Sequence, residues 1–363
     1  MKIAIIGATG FVGNRLIEMF HLERSYTLVP IVRNITSLAR IARFNLNHKL
    51  AEGTDEDALT QALEGCDILI HSAFGNPDTI RAMVKPTYRA AQRAGVKRIV
   101  YLSSAAVHGQ SPALGTDETT PLPQKQKWEY NQAKADAEKE FQRLRRSGDV
   151  ELVMLRPSII YGPRSSWITS LIHQLKTDTA YWIEEGQGIL NAIYVDNLVH
   201  AIELAMTKPV DKEVFLINDP EPQTWAAFYQ PFTNAMGLET SAIHNCQPHK
   251  ESPKFTDRFE RLRTSRFIQA TAPYLPQVLK RVLKGIIQAL HKPTTPDLWS
   301  PPQLPRPTPN IEISILQQCH WKYPNKKAEE LLGYQPLYSF EEACAKTIAW
   351  LSFCQFPVDE NKL

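Results

Sequence analysis

The sequence predicts an α/β fold, a doubly wound parallel sheet with a smaller C-terminal lobe, on three observations. The chain opens with an apolar run that ends in spaced glycines, Lys2-Ile-Ala-Ile-Ile-Gly-Ala-Thr-Gly-Phe-Val-Gly13. Strand-like and helix-like segments then alternate through the first two-thirds of its 363 residues. The strand-like runs are apolar throughout, the pattern of parallel strands covered on both faces.

The first strand is Lys2–Ile6, and Asn14 to Phe20 can be helical. A strand, a glycine turn and a helix start aim free N–H groups at an anion, which marks a dinucleotide-binding (Rossmann) loop. Gly7 permits the sharp turn, Gly10 lets the backbone approach a pyrophosphate, and Gly13 lets helix and strand pack closely. Further strands are expected at Thr27–Val32, Asp67–His71, Arg98–Ser103, Glu151–Arg156 and Glu213–Ile217, with helices such as Pro77–Ala94 and Glu129–Arg146 between them. Ligands of such sheets sit beyond the carboxyl ends of the strands. Gly7, Arg33, His71 and Ser104 fall at such ends, so one cleft could collect them. Residues 1–163 are read as the Rossmann domain, its sheet completed by about 191–218. Residues 164–190 and 219–363 are read as mainly a substrate-binding lobe.

Within the C-terminal part, residues 258–292 carry eight Lys/Arg and one acidic residue, Glu260, beside an apolar stripe of Leu275, Leu279, Val282, Ile286 and Leu290. This segment has two readings, a lid helix on the substrate pocket or a peripheral contact with an anionic membrane surface. Seven prolines in residues 293–309 predict an extended, irregular stretch. A helix Lys326–Leu332, a Gly333 stop and a helix Ser339–Phe353 close the chain. Apolar content of 43% and charged content of 22% describe a soluble globular protein, and a net charge of +3 is too small to argue for nucleic acid. The five cysteines are odd in number and scattered without metal-ligand spacing. They predict no metal site and reduced thiols in a cytoplasmic setting. The N-terminus enters a strand at once, leaving no room for a signal peptide. No apolar run approaches the roughly 20 residues of a membrane span.

The chemistry is carried by Tyr130-Asn-Gln-Ala-Lys134 on a predicted helix. Spacing of four puts phenol and ammonium on one face, and a nearby cation lowers a tyrosine from its free value of about 10 toward use as a general acid/base. Ser103-Ser104 ends an apolar strand, where a hydroxyl can hold a substrate oxygen against the tyrosine. Alone, each of these could be a surface pair or a cap serine. Together with the glycine loop they make a joint arrangement hard to obtain by chance.

Five motifs stand in order: Gly7-Ala-Thr-Gly-Phe-Val-Gly13, Ser103-Ser-Ala-Ala-Val-His-Gly109, Tyr130-Asn-Gln-Ala-Lys134, Arg156-Pro-Ser-Ile-Ile-Tyr-Gly-Pro163 and Tyr194-Val-Asp-Asn197. With the tail Lys327-Ala-Glu-Glu-Leu-Leu-Gly-Tyr-Gln-Pro336, the chain resembles the extended short-chain dehydrogenases/reductases, the NAD(P)-dependent epimerase/dehydratase family. The resemblance covers nearly the whole chain except about 245–320. It implies hydride transfer between nicotinamide and an alcohol/ketone substrate. Ser104 would be the catalytic serine, Tyr130 the acid/base, and Lys134 the residue that binds the nicotinamide ribose and depresses the tyrosine. Gly7, Thr9, Gly10, Phe11, Val12 and Gly13 would hold the pyrophosphate. His71, Ser72 and Ala73 would line the cofactor, and Pro157 and Ser158 would border the nicotinamide.

Several positions depart from the family pattern. Many NAD-binding sheets place Asp or Glu about 20 residues after the glycine loop. Here Val32 is followed by Arg33, with Arg40 and Arg43 beyond, which favours NADP(H) through a 2′-phosphate contact and leaves NAD(H) as the alternative. The family's Gly-Asp pair after the third strand is replaced by Gly53-Thr54-Asp55, and its Val-Tyr-Gly by Val107-His108-Gly109, where His108 reads as structural or solvent-exposed. The Arg-Asp pair of sugar-nucleotide epimerases is replaced by Leu190-Asn191, so an apolar alcohol or ketone fits comparably well. Trp167, Trp182, Trp225 and Tyr229 could wall a pocket. Two alternatives remain, a sugar-nucleotide epimerase/dehydratase with retained cofactor and a non-catalytic dinucleotide-binding regulator. The partner expected is a small-molecule substrate; the family resemblance also allows a homodimer through the Pro77–Ala94 and Glu129–Arg146 helices, which the sequence alone does not require.

Overall fold

The computed structural model describes residues 1–24, 26–221, 223–248, 307 and 309–359. The basic stripe of 258–292, and with it both the lid and the membrane reading, lies outside the described residues, as does most of the proline-rich stretch. The central sheet holds β1 (Lys2–Ile6), β2 (Thr27–Val32), β3 (Lys49–Leu50), β4 (Ile68–His71), β5 (Arg98–Leu102) and β6 (Glu151–Pro157). Three further short strands, β7 (Ile159–Tyr161), β8 (Tyr181–Ile183) and β9 (Ile189–Leu190), are followed by β10 (Ala192–Tyr194) and β11 (Glu213–Ile217). The sheet order is β11-β6-β5-β4-β1-β2-β3, and every pairing in it is parallel. The chain leaves β1 toward β2 on one side and returns to β4 on the other. That reversal opens the crevice of a doubly wound sheet between β1 and β4.

Side-chain alternation assigns the two faces. Ile3, Ile5, Ile68, Ile70, Val100 and Leu102 pack with α1 (Phe11–Glu23). Ala4, Ile6, Leu69, Ile99 and Tyr101 pack against α2 (Glu56–Leu63), α3 (Pro77–Arg93) and α4 (Glu129–Ser147). β1, β4 and β5 are buried on both faces, which is why each reads as a continuous apolar run. The edge strand β3 is two exposed residues with no apolar run to announce it.

Beyond the sheet, a second group of elements comprises α5 (Ser166–Lys176), β8, β9, β12 (Gln223–Thr224), α7 (Trp225–Ala235) and β13 (His244–Cys246), with α6 (Val195–Thr207) returning the chain to the sheet between them. After the undescribed stretch, α8 (Ile311–Gln317), α9 (Lys326–Leu332) and α10 (Phe340–Phe353) follow. The core of this group gathers Tyr161, Ile168, Leu171, Trp225, Phe228 and Ile348 among others. The C-terminal range does not all belong to it. Ala328 and Leu332 of α9, with Tyr334, join the α1 and α6 layer of the sheet, because the apolar side of α9 completes that face. Gly333 ends α9 with φ +69, and Ser339 caps α10 in a reciprocal capping box with Glu342.

Candidate functional site

The glycine loop is shaped by close backbone contacts. Gly7 has φ +87, and a Cβ there would stand 2.6 Å from Ala73 N. The loop therefore lies against the exit of β4, where Ser72 N–H donates to Ile6 O at 2.9 Å. A Cβ on Gly13 would fall 2.2 Å from Gly7 O. Helix α1 begins at Phe11, three residues ahead of the sequence expectation, because extended Gly10 can serve as its N-cap. No side chain caps it and no acidic residue lies in its first turn. The N–H groups of Phe11, Val12 and Gly13 are thus left without an acidic competitor, in a loop where Gly7 and Gly13 have no room for a Cβ. This fits the diphosphate of a nicotinamide dinucleotide, which Gly7, Thr9, Gly10, Phe11, Val12 and Gly13 would hold. Such a cofactor, when bound, supplies or accepts the hydride.

Around this cradle stand the arginines. Arg40 Nη1 donates to Thr9 O at 3.2 Å, and Asn14 Nδ2 donates to Arg40 O at 2.8 Å. Arg43 pairs with Glu18 at 3.1 Å. Arg33 is exposed just past the end of β2. The Gly53-Thr54-Asp55 stretch does other work, since Asp55 caps α2 through the N–H groups of Asp57 and Ala58.

Ser104 and Tyr130 come together beyond the end of β5. Ser104 caps a short turn by accepting from Ala106 N–H at 3.2 Å, and its hydroxyl lowers the pKa of the Tyr130 phenol. Tyr130 lies in the first turn of α4, half-buried, with the exposed ring of Phe74 5.5 Å away. Burial pushes the phenol up from its ordinary pKa, and Ser104 pulls it back down. Here the structure corrects the expectation from spacing. Lys134 shares the helix face of Tyr130, but that face is pressed onto β5. The ammonium donates to Leu102 O at 2.8 Å and to the Tyr101 hydroxyl at 3.4 Å. Ser104, not Lys134, is the group that lowers the phenol. Lys134 itself is 3% exposed, and burial brings it down to about 8.

His71 is a second correction. The side-chain alternation of β4 turns it away from the crevice into the layer under α4, 5.4 Å from Tyr101 and 6.2 Å from Phe141. Neither ring nitrogen has a partner, and burial drops its pKa to about 3, so it stays neutral. The crevice wall at this point is the backbone of Ser72 and Ala73, not the His71 ring. Pro157 ends β6, and Ser158 N–H donates to Ile217 O at 3.1 Å, fixing both residues at the carboxyl edge of the sheet.

Three buried groupings escaped the sequence reading. Arg156 pairs with Glu138 of α4 at 2.6 Å and meets His108 Nε2 at 3.0 Å, which makes His108 structural. The motif residue Asp196 binds Arg15 of α1 through both oxygens at 2.6 and 2.7 Å, and so ties α6 to the helix behind the glycine loop. Tyr101 holds Lys134. An arginine inside an apolar strand was the available signal for the first; nothing in the sequence pairs the others.

A cavity of about 300 Å³ is walled by Ile159, Trp167, Leu190, Trp225, Phe228 and Tyr229, among others. Of the four aromatic residues expected to wall a pocket, Trp182 belongs instead to a separate open depression. Asn191 accepts from Tyr323 N–H at 2.9 Å and donates to Trp321 O at 2.8 Å, a structural amide. Among the described residues no three His, Cys, Asp or Glu gather as a metal site, and no helix is long and apolar enough to cross a membrane.

Residues 3–217 match the model of the NAD dependent epimerase/dehydratase family. The chain belongs to this family. It is similar to the decarboxylating sterol-4-alpha-carboxylate 3-dehydrogenases of Saccharomyces cerevisiae (28% identical, 96% of this chain and 97% of that one) and Candida albicans (24% identical, 97% of each). Among solved structures it resembles a dTDP-glucose 4,6-dehydratase from Streptomyces venezuelae with NAD bound (TM-score 0.69, 17% identical, 97% of each chain). As a member of the epimerase/dehydratase family, the chain is a nicotinamide-dinucleotide-dependent enzyme of the extended short-chain type, acting on a small molecule.

Proposed function

We propose that this enzyme is an NADP(H)-preferring oxidoreductase that interconverts an apolar secondary alcohol and its ketone. The observation that carries the reading is the wall at Leu190-Asn191. An arginine there would clamp a diphosphate. In its place Leu190 lines a cavity with Ile159 and five aromatic residues, edged by Ser166, Ser170, Gln174 and Gln317, while Asn191 is spent on the backbone of Trp321 and Tyr323. With no Lys or Arg among the described lining residues, burying a sugar diphosphate there leaves its charge unpaired and is costly, whereas an apolar ring body gains against the rings. The likeness to sterol dehydrogenases supports the same substrate class.

In this reading Ser104 holds the reacting oxygen and Tyr130 exchanges its proton. When an alcohol is oxidised, its O–H proton would pass to Tyr130 in its phenolate form, and in reduction the Tyr130 phenol would return it; a bound nicotinamide would supply the hydride chemistry. Lys134 would hold the ribose hydroxyls with its ammonium. Arg33, exposed past β2, and Arg40, tethered to Thr9, supply positive charge for a 2′-phosphate.

The test is turnover of a 3β-hydroxysteroid and of UDP-glucose with either cofactor. Steroid-dependent reduction of NADP⁺ supports the reading. Epimerisation of UDP-glucose with no net cofactor reduction overturns it.

A further inference from the structure

We propose that Tyr101 is a positioning residue of this site: its hydroxyl and ring fix the Lys134 ammonium against β5, leaving one N–H for a bound ligand. The inference rests on the reading that Lys134 serves the cofactor. Tyr101 is a core residue of β5, 1% exposed, with its ring 4.6 Å from Phe141 and 5.4 Å from His71. An apolar residue would fill that space equally well. The hydroxyl is what an apolar residue lacks, and it is bonded to Lys134 at 3.4 Å, with the ammonium 4.9 Å from the ring centre. Lysine has three N–H donors. Leu102 O takes one at 2.8 Å and Tyr101 takes a second.

One other nearby group favours the charge: Glu138, one turn along α4, acts through its carboxylate while its oxygens bind Arg156, and His71, from β4, stays neutral. Burial already brings Lys134 down to about 8, so it stands close to discharge at neutral pH. Tyr101 stays protonated, because burial holds its own ionisation far above the usual range. It is therefore a constant acceptor that favours the charged amine at any working pH.

Tyr101→Phe removes the oxygen and keeps the ring. A lysine loses its charge as pH rises, so weakening the charged form moves the titration toward acid. Losing one hydrogen bond to a charged group corresponds to about one pH unit. The experiment follows the Lys134 side-chain resonance by NMR against pH in wild type and Tyr101→Phe, and measures the NADP⁺ dissociation constant at pH 6.5 and 8. The result expected is a titration moved down by about one unit, with NADP⁺ affinity lost at pH 8 and largely kept at pH 6.5. An unchanged titration, or an equal loss of affinity at both pH values, assigns Tyr101 to packing alone and overturns the proposal. Should Tyr101→Phe fail to fold, 3-fluorotyrosine at position 101 weakens the same acceptor without changing the packing and must move the titration in the same direction. Lys134→Ala separates the two ideas: undiminished NADP⁺ binding in that variant sinks the cofactor role of Lys134, while the titration still decides whether Tyr101 holds it.

Discussion

Among single residues the proposed chemistry falls on Tyr130, whose phenol burial raises and Ser104 lowers. Tyr130→Phe keeps the ring beside Phe74 and removes the exchangeable proton. We expect kcat to fall by about 10²–10⁴-fold, the usual contribution of a positioned acid/base, with NADP⁺ affinity measured by calorimetry unchanged. A variant with full activity would exclude Tyr130 from proton transfer. Arg33 makes a different kind of prediction because it is exposed just past the end of β2. Arg33→Ala should weaken NADP⁺ binding by roughly 10–100-fold, the value of a charge-assisted hydrogen bond, and leave NAD⁺ binding as it was. Equal affinities for the two cofactors in wild type would remove the 2′-phosphate reading.

At the scale of elements, α4 is where catalytic and structural demands meet. One face carries Tyr130, Lys134 and Glu138 at intervals of four, and all three are turned toward the ends of β5 and β6. Glu138 is 1% exposed and Arg156 is 4% exposed, so neither has water to fall back on. Arg156→Met strands the carboxylate and also removes the partner of His108. Breaking a buried pair in this way costs about 3–5 kcal/mol, to be read from the midpoint of urea unfolding. A change under 1 kcal/mol would mean that Glu138 reaches water or another donor. The register of α1 follows the same logic. Its start at Gly10 leaves the first-turn amides free, and the Arg15–Asp196 pair keeps the helix where those amides face the crevice.

For the whole molecule, two buried imidazoles determine the acid limit of stability. Burial lowers His71 to about 3 and His108 to about 4, both below the ordinary 6.5. At mildly acidic pH the unfolded chain binds protons that the folded chain refuses, so stability rises with pH in that range. It is fully present above about 6.5 and is lost as pH falls toward the folded values. We expect the thermal midpoint to drop steadily between pH 6.5 and 4. His71→Phe removes one of the two protons, fills an apolar site between Tyr101 and Phe141, and should flatten that slope. A slope identical to wild type would place the acid sensitivity elsewhere.

Local physics made part of this protein legible in the sequence. The glycine loop, the parallel strands β1, β2, β4, β5, β6 and β11, and the helices α3 and α4 are announced by apolar runs, caps and turn residues that act over a few neighbours. The candidate residues Ser104, Tyr130 and Lys134 were readable for the same reason, as motifs at strand ends and helix spacing. The tertiary structure alone decided which groups meet. Spacing of four put Lys134 beside Tyr130 on one helix, but the sheet beneath offered the ammonium a nearer carbonyl and phenol. His71 stands at a strand end as predicted, yet the alternation of β4 sends its ring into the core and leaves the crevice to backbone. The partnerships of Arg156 with Glu138 and of Asp196 with Arg15 join residues 18 and 181 positions apart, respectively. A sequence sets the propensity of each segment; the close packing of segments chooses their contacts, and no local pattern encodes that choice.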